Sequence, residues 1–256
     1  MDTSVLISSI DKVTTITINR PEVRNSLNQQ TIELLIRAFE TLSKDDSCRA
    51  IILTSTGTEA FCAGADLSEL KAAADLKSRE AFFSGLAQLI QTMHKTPQTI
   101  IASIHGFALA GGCGLAAAAD IAIASDTAQF GLPELYIGLA PMVVTPVLER
   151  AIGRRALADL VLSADRIDAQ RALSIGLVSR LFAPEELADA TNKLAQRIAA
   201  LAPQAAATSK RLIYEVAEEN YFLLLKRLPN EVAKLSLQAE AQEGISSFIL
   251  KQKPRW

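Results

Sequence analysis

Cysteine and histidine are scarce in this chain, with three cysteines (Cys48, Cys62, Cys113) and two histidines (His94, His105) among 256 residues. The cysteines are scattered and odd in number. They have neither the spacing of a secreted disulfide framework nor the close pairs of a zinc site, so reduced thiols and no metal centre are expected. A basic excess is missing too: 26 lysines and arginines stand against 28 acids, a net charge of −2. Nucleic-acid domains usually carry a clear positive balance, so no nucleic-acid partner is expected. No apolar run reaches the roughly 18 residues of a membrane span, and Met1, Asp2, Thr3 and Ser4 lack the basic start of a signal peptide. These absences point away from the membrane and to the cytoplasm. G-x-S-x-G, a phosphate loop and an evident Ser-His-acid set are also missing.

What is present is ordinary globular composition, 49% hydrophobic and 21% charged. Val5–Ile10 and Val13–Ile18 are rich in β-branched residues and split by Asp11 and Lys12, which predicts a hairpin whose second strand ends at Pro21. Leu35, Ala38, Phe39 and Leu42 recur at helical spacing within a helix predicted over 28–44, and residues 50–54 read as a buried strand. Phe82, Leu86, Leu89, Ile90 and Met93 mark a second amphipathic helix ending before Pro97, with a strand following at 99–104. Short strands are predicted at 121–124, at 128–130 and near 177–182. From Pro141 onward the pattern is mainly helical, with Leu187, Ala190, Leu194, Ile198 and Leu201 on one stripe. Strands alternating with helices, then helices alone, predict an α/β fold, with Pro203 near the boundary between its two regions.

Two segments of small residues each follow a strand. One is Ala60-Phe61-Cys62-Ala63-Gly64-Ala65-Asp66-Leu67; the other runs from His105 and Gly106 through Ala110-Gly111-Gly112-Cys113-Gly114. Small side chains let a ligand approach the main chain, so backbone N–H groups become binding donors, and a helix starting near Gly112 adds its positive dipole end. Two such donors from separate loops would make an oxyanion hole, where each lowers an enolate-forming barrier by roughly 3–4 kcal/mol. Gly112-Cys113-Gly114-Leu115-Ala116-Ala117 also fits the loose dinucleotide pattern G-x-G-x-x-A. That reading fails, because Gly106 to Gly111 intervene after the strand and Asp126 comes too early for the ribose-binding acid.

In this order and spacing, the two segments resemble those of the crotonase (enoyl-CoA hydratase/isomerase) superfamily. The likeness extends through Asn19-Arg20-Pro21, Asp120-Ile121-Ala122-Ile123-Ala124, Phe130-Gly131-Leu132-Pro133-Glu134, Ile137-Gly138-Leu139 and Ala172-Leu173-Ser174-Ile175-Gly176-Leu177-Val178. The resemblance implies a spiral of repeated β-β-α units over residues 1–200 and a helical trimerisation region over 201–256, assembling as a homotrimer or a dimer of trimers. It implies an acyl-CoA thioester substrate and no cofactor, coenzyme A being part of the substrate. By motif, the oxyanion donors are the backbone N–H groups of Ala65 and Gly111, within a substrate-binding set that includes Ala63, Asp66, Leu67 and Gly114. Asp66 is mainly a structural acid capping the following helix. Arg24 matches a position that meets a coenzyme A phosphate, for which the planar guanidinium fork is well suited.

Hydratases of this superfamily commonly use two glutamates. The resemblance maps one onto Gly114, where no acid exists, and the other onto Glu134. Glycine cannot hold a proton, so the catalytic acid–base role falls to Glu134, whose pKa an apolar acyl pocket would raise toward neutrality. Cys62 and Cys113 read as small hydrophobic filling and the two histidines as packing groups. The chain is further similar to bacterial methylglutaconyl-CoA hydratase-like members, which also carry glycine at the first position. That likeness rests on Gly111-Gly112-Cys113-Gly114-Leu115, Ile137-Gly138-Leu139-Ala140-Pro141, Thr145-Pro146, Gln242-Glu243-Gly244, Phe248 and the ending Lys251-Gln252-Lys253-Pro254-Arg255-Trp256. Lys251, Lys253 and Arg255 read as a solvated tail, with coenzyme A phosphate contact as the alternative. The expected activity is hydration of an α,β-unsaturated acyl-CoA, branched acyl groups included. The alternatives are double-bond isomerisation with Glu134 as sole proton shuttle, and non-catalytic acyl-CoA binding.

Overall fold

The computed structural model describes residues 4–216, 230, 234, 238–250, 252, 254 and 255. Val5–Ile10 (β1) and Val13–Ile18 (β2) pair antiparallel across a tight turn in which Asp11 and Lys12 both take positive φ, 47° and 68°. β2 is mostly buried, whereas β1 is an exposed edge. From β2 the sheet continues in parallel through β3 (Ala50–Ser55), β5 (Thr99–Ile104), β7 (Ile121–Ser125) and β10 (Arg180–Phe182). Its inner strands are apolar on both faces because both faces are covered. Ile51, Leu53, Ile100 and Ala102 pack with α1 (Gln29–Leu42) and α3 (Leu76–Lys95). Ala50, Ile52, Ile101 and Ile123 pack beneath Leu187, Leu194 and Ala195 of α7 (Pro184–Ala199).

A second sheet holds four short strands: β4 (Ala60–Cys62), β6 (Phe107–Leu109), β8 (Gln129–Gly131) and β9 (Ile167–Asp168). The pairs β3–β4, β5–β6 and β7–β8 each put one strand in each sheet before the chain turns helical, which winds it into repeated β-β-α units. Sequence reading does not foresee β4, β6 or β9, since two or three residues are too few to display a period of two. The strand expected near 177–182 runs only over Arg180–Phe182. Leu177 and Val178 are drawn aside, their N–H groups bonding to the Ala172 carbonyl at the end of α6 (Ala169–Ser174).

Between these strands lie α2 (Leu67–Ala72), α4 (Gly111–Ala118) and α5 (Thr145–Ser163), the last broken at Gly153, where φ is 73°. The boundary expected at residues 200 and 201 falls between α7 and α8 (Pro203–Val216), and α9 spans Ala239–Ile249. Among the described residues, no helix is long and apolar enough to cross a membrane.

Candidate active site

The site begins with a turn clamped in place by two polar side chains. After β2, buried Asn25 donates from Nδ2 to the carbonyls of Thr56 (2.8 Å) and Ala60 (2.7 Å), while its Oδ1 accepts from the Arg20 N–H at 2.9 Å. The Arg20 guanidinium donates to the Ser26 carbonyl at 2.6 Å and pairs with Asp66 at 3.0 Å. Residues 20–27 are thereby held against the segment that follows β4. Leu27 makes a single parallel rung there: its N–H donates to the Gly64 carbonyl (2.7 Å) and its carbonyl accepts from the Asp66 N–H (2.9 Å). In a parallel rung the residue between those two points its own N–H the other way. That residue is Ala65, whose N–H has no protein acceptor among the described residues.

Asp66 also accepts from the N–H groups of Ser68 and Glu69, capping α2. Committed to these donors and to Arg20, its carboxylate is not part of the cavity wall described below.

The second loop leaves β6 through Ala110, which adopts φ 51° and ψ −117°, an uncommon conformation for a residue with a Cβ. The bond from its N–H to the Gly131 carbonyl (2.9 Å) fixes the turn, and Gly111 then opens α4 with an N–H that has no intrahelical acceptor. The two loops touch at Gly64. Its φ is 99°, and a Cβ there would stand 2.6 Å from the Ala110 Cβ and 3.3 Å from the Gly111 nitrogen. Only glycine permits that approach.

Both amides border an apolar cavity of about 460 Å³. Its walls include Ala63, Ala65, Leu67, Gly111 and Glu134 from the sequence-derived set, together with Leu27, Phe82, Phe83, Leu86, Tyr136, Met142 and Val144. Glu134 follows Pro133 in a 3-10 turn after β8, where its Oε2 is buried without a hydrogen-bond partner. Burial raises the Glu134 pKa above the usual glutamate value. The thiols of Cys62 and Cys113 are pushed up to about 12 by burial, so neither is a thiolate near neutrality. A wider groove of about 780 Å³ runs beside α8 and α9, lined in part by Asp46, Arg49 and Glu240. The apolar enclosure around a buried acid belongs to the smaller cavity, the pattern expected of a small-molecule site.

Besides Asp66, two expected site residues lie elsewhere. Gly114 is not on the cavity wall: it is buried one helical turn from Gly111, and a Cβ there would meet Val144 Cγ1 at 2.4 Å and Val144 Cβ at 3.1 Å. Val144 lines the cavity in its stead. Arg24 is also off the wall; its exposed Nε lies 2.6 Å from the Glu59 carboxylate, and it touches the site only through its carbonyl, which accepts from the Ala63 N–H at 3.0 Å. Of the terminal cations, Arg255 donates from its backbone N–H to Glu243, whereas Lys251 and Lys253 lie outside the described residues.

Sequence reasoning missed Phe83, Tyr136, Met142 and Val144 as wall residues and took Phe82 for a core side chain. The run 141–144 is a loop without periodicity, so no local signal marks which of its side chains turn inward.

Two uncommitted N–H groups beside one desolvated carboxylate can polarise a carbonyl and move a proton at a neighbouring carbon. A model of the enoyl-CoA hydratase/isomerase family matches residues 9–256. A short-chain-enoyl-CoA hydratase of Clostridium acetobutylicum is 36% identical, covering 98% of this chain and 96% of its own length. A crotonyl-CoA hydratase of Syntrophomonas wolfei is 31% identical over 98% of this chain and 96% of its own. The crystal structure of an enoyl-CoA hydratase from Mycobacterium smegmatis superposes with a TM-score of 0.95 at 32% identity, covering 99% and 98% of the two chains.

Proposed function

The chain belongs to the enoyl-CoA hydratase/isomerase family and is an enzyme of it, and from that premise we propose that it adds water reversibly across the double bond of an α,β-unsaturated acyl-CoA. The observation that carries the proposal is that Glu134, with a buried and unpartnered Oε2, lines the same apolar cavity as the free amides of Ala65 and Gly111. The two N–H groups receive the thioester oxygen. Glu134, as carboxylate, takes a proton from a water molecule while the water oxygen bonds to the β-carbon. The displaced electron pair moves through the α-carbon onto the thioester oxygen, forming an enolate that the two amides stabilise. Protonated Glu134 then delivers its proton to the α-carbon as the thioester carbonyl re-forms. One carboxylate completes the cycle, and no group beyond the coenzyme A carried by the substrate is needed.

The cavity supports an uncharged acyl group. No lysine, arginine or histidine is among its described lining residues, so a distal carboxylate, as in a methylglutaconyl group, would be buried without a partner at considerable cost. Arg24 meets a coenzyme A phosphate by exchanging Glu59 for it. We assign the protein to the cytoplasm and its assembly to a homotrimer or a dimer of trimers, which light scattering would distinguish.

The test is the loss of enoyl-thioester absorbance on incubation with crotonyl-CoA. A Glu134→Gln variant that keeps its fold should lose roughly 10²–10⁴-fold in rate, the usual worth of a placed acid–base group. Equal rates from wild type and variant would remove Glu134 from the mechanism. Double-bond isomerisation is the second reading, favoured by the lack of a second carboxylate on the described wall. Conversion of a 3-enoyl-CoA to its 2-enoyl isomer without a 3-hydroxy product would select it.

A further inference from the structure

Val144 shares the cavity wall with the amides of Ala65 and Gly111. Val144 is 3% exposed, lines the cavity, and occupies the space that any side chain at position 114 would require. Ile90 Cδ1 stands 4.0 Å from the same point and backs the contact. The loop carrying Val144 is held firmly: the Pro141 carbonyl accepts from both the N–H (3.0 Å) and the Oγ1 (2.8 Å) of Thr145, and the Val144 carbonyl accepts from the Leu148 N–H at 3.0 Å. A β-branched side chain on a fixed backbone has few rotamers to retreat into. The wall is therefore stiff.

Gly114 lies three residues after Gly111, about 4.5 Å along the axis of α4 and on the same face. A thioester oxygen held at the Gly111 N–H would bring the α- and β-carbons of the acyl group against that stretch, and Val144 is what they would meet. We infer that Val144 determines acyl specificity by excluding a methyl branch at the β-carbon, which makes straight-chain enoyl-CoA thioesters the preferred class. The inference rests on the acyl-CoA reading of the cavity but not on which reaction is catalysed there. It also narrows that reading, since a branched acyl group was an open expectation from the sequence.

Two ratios test it. The first is kcat/KM for 3-methylcrotonyl-CoA over crotonyl-CoA; the second is the association constant for 3-methylbutyryl-CoA over butyryl-CoA, saturated thioesters measured by calorimetry. In Val144→Ala both ratios should rise about tenfold or more, the usual discrimination of an apolar pocket for one carbon. The paired variant Gly114→Ala/Val144→Ala, which returns a methyl group to the same wall, should bring both back down. Val144→Ile, which lengthens the side chain, should move them below wild type and serves if the alanine variant fails to fold. Unchanged ratios in folded variants would overturn the inference. A shifted binding ratio in a protein that turns over no enoyl-CoA would uphold the wall and discard the reaction proposed for the cavity.

Discussion

The Lys210 ammonium lies 2.7 Å from the Asp120 carboxylate, with the two side chains only 6% and 14% exposed. Lys210 also donates to the carbonyls of Met93 (3.1 Å) and Gln98 (3.0 Å), and Asp120 accepts from the Ile100 N–H (2.7 Å) and the Tyr214 hydroxyl (3.0 Å). One buried pair thus joins α8 to the ends of α3 and α4, the helices that carry Phe82, Phe83 and Gly111 to the cavity. Lys210→Ala would leave the Asp120 charge enclosed without its cation. Breaking a buried pair costs about 3–5 kcal/mol, and the lower end is expected because Asp120 keeps two donors. A urea melt of the variant should show a lower midpoint with little change in slope.

The contact between Gly64 and Ala110 gives a second expectation. In Gly64→Ala the new Cβ would have to push Ala110 away or distort a backbone at φ 99°. Positive-φ strain alone is worth about 1–3 kcal/mol. Because the shift separates the amides of Ala65 and Gly111, kcat should fall by roughly 10²-fold or more, as when an oxyanion donor is lost. Steady-state kinetics beside a thermal melt would show whether the loss of rate exceeds the loss of folded protein.

Glu134 should imprint its raised pKa on both activity and stability. Hydration uses the carboxylate, so kcat/KM should decline as pH falls through a value above the ordinary glutamate pKa of about 4.3. The stability effect has the opposite sense. The folded state holds this proton to higher pH than the unfolded chain does, so the contribution is present in acid and is lost as pH rises through the folded-state pKa. Glu134→Gln should therefore match or exceed wild-type stability near neutrality and lose that advantage in acid. Denaturant melts across the range, compared pairwise, would reveal the crossover.

Arg24 offers a test that separates its two partners. If it exchanges Glu59 for a coenzyme A phosphate, Arg24→Ala should raise KM several-fold for an acyl-CoA and leave kcat nearly unchanged, the signature of uniform binding. Turnover of an acyl-pantetheine lacking the nucleotide phosphates should be insensitive to the change. An equal effect on both substrates would assign Arg24 to loop structure through its carbonyl bond with Ala63.

The β1–β2 hairpin, the longer strands β3, β5 and β7 and the helices around Phe39 and Met93 were legible because each is long enough to repeat its pattern. The shorter strands β4, β6 and β9 lacked that length, although two of them carry the site segments. Ala65 and Gly111, which line one cavity with Glu134, were singled out through a motif that joins two distant segments, and Glu134 through its place after Pro133. The missing acid was equally plain, since position 114 is glycine whatever the fold.

Other features were decided only by the tertiary structure. Sequence placed Gly114 among the binding residues; the fold buries it under Val144, thirty residues further on. The fold also left the Arg24 guanidinium beside Glu59 and paired Asp66 with Arg20, beyond the helix cap already expected of that carboxylate. The physical reason is range. Turn preference, capping and strand alternation act over a few residues and are written locally, whereas the exclusion of one side chain's volume by another depends on where two distant loops come to rest.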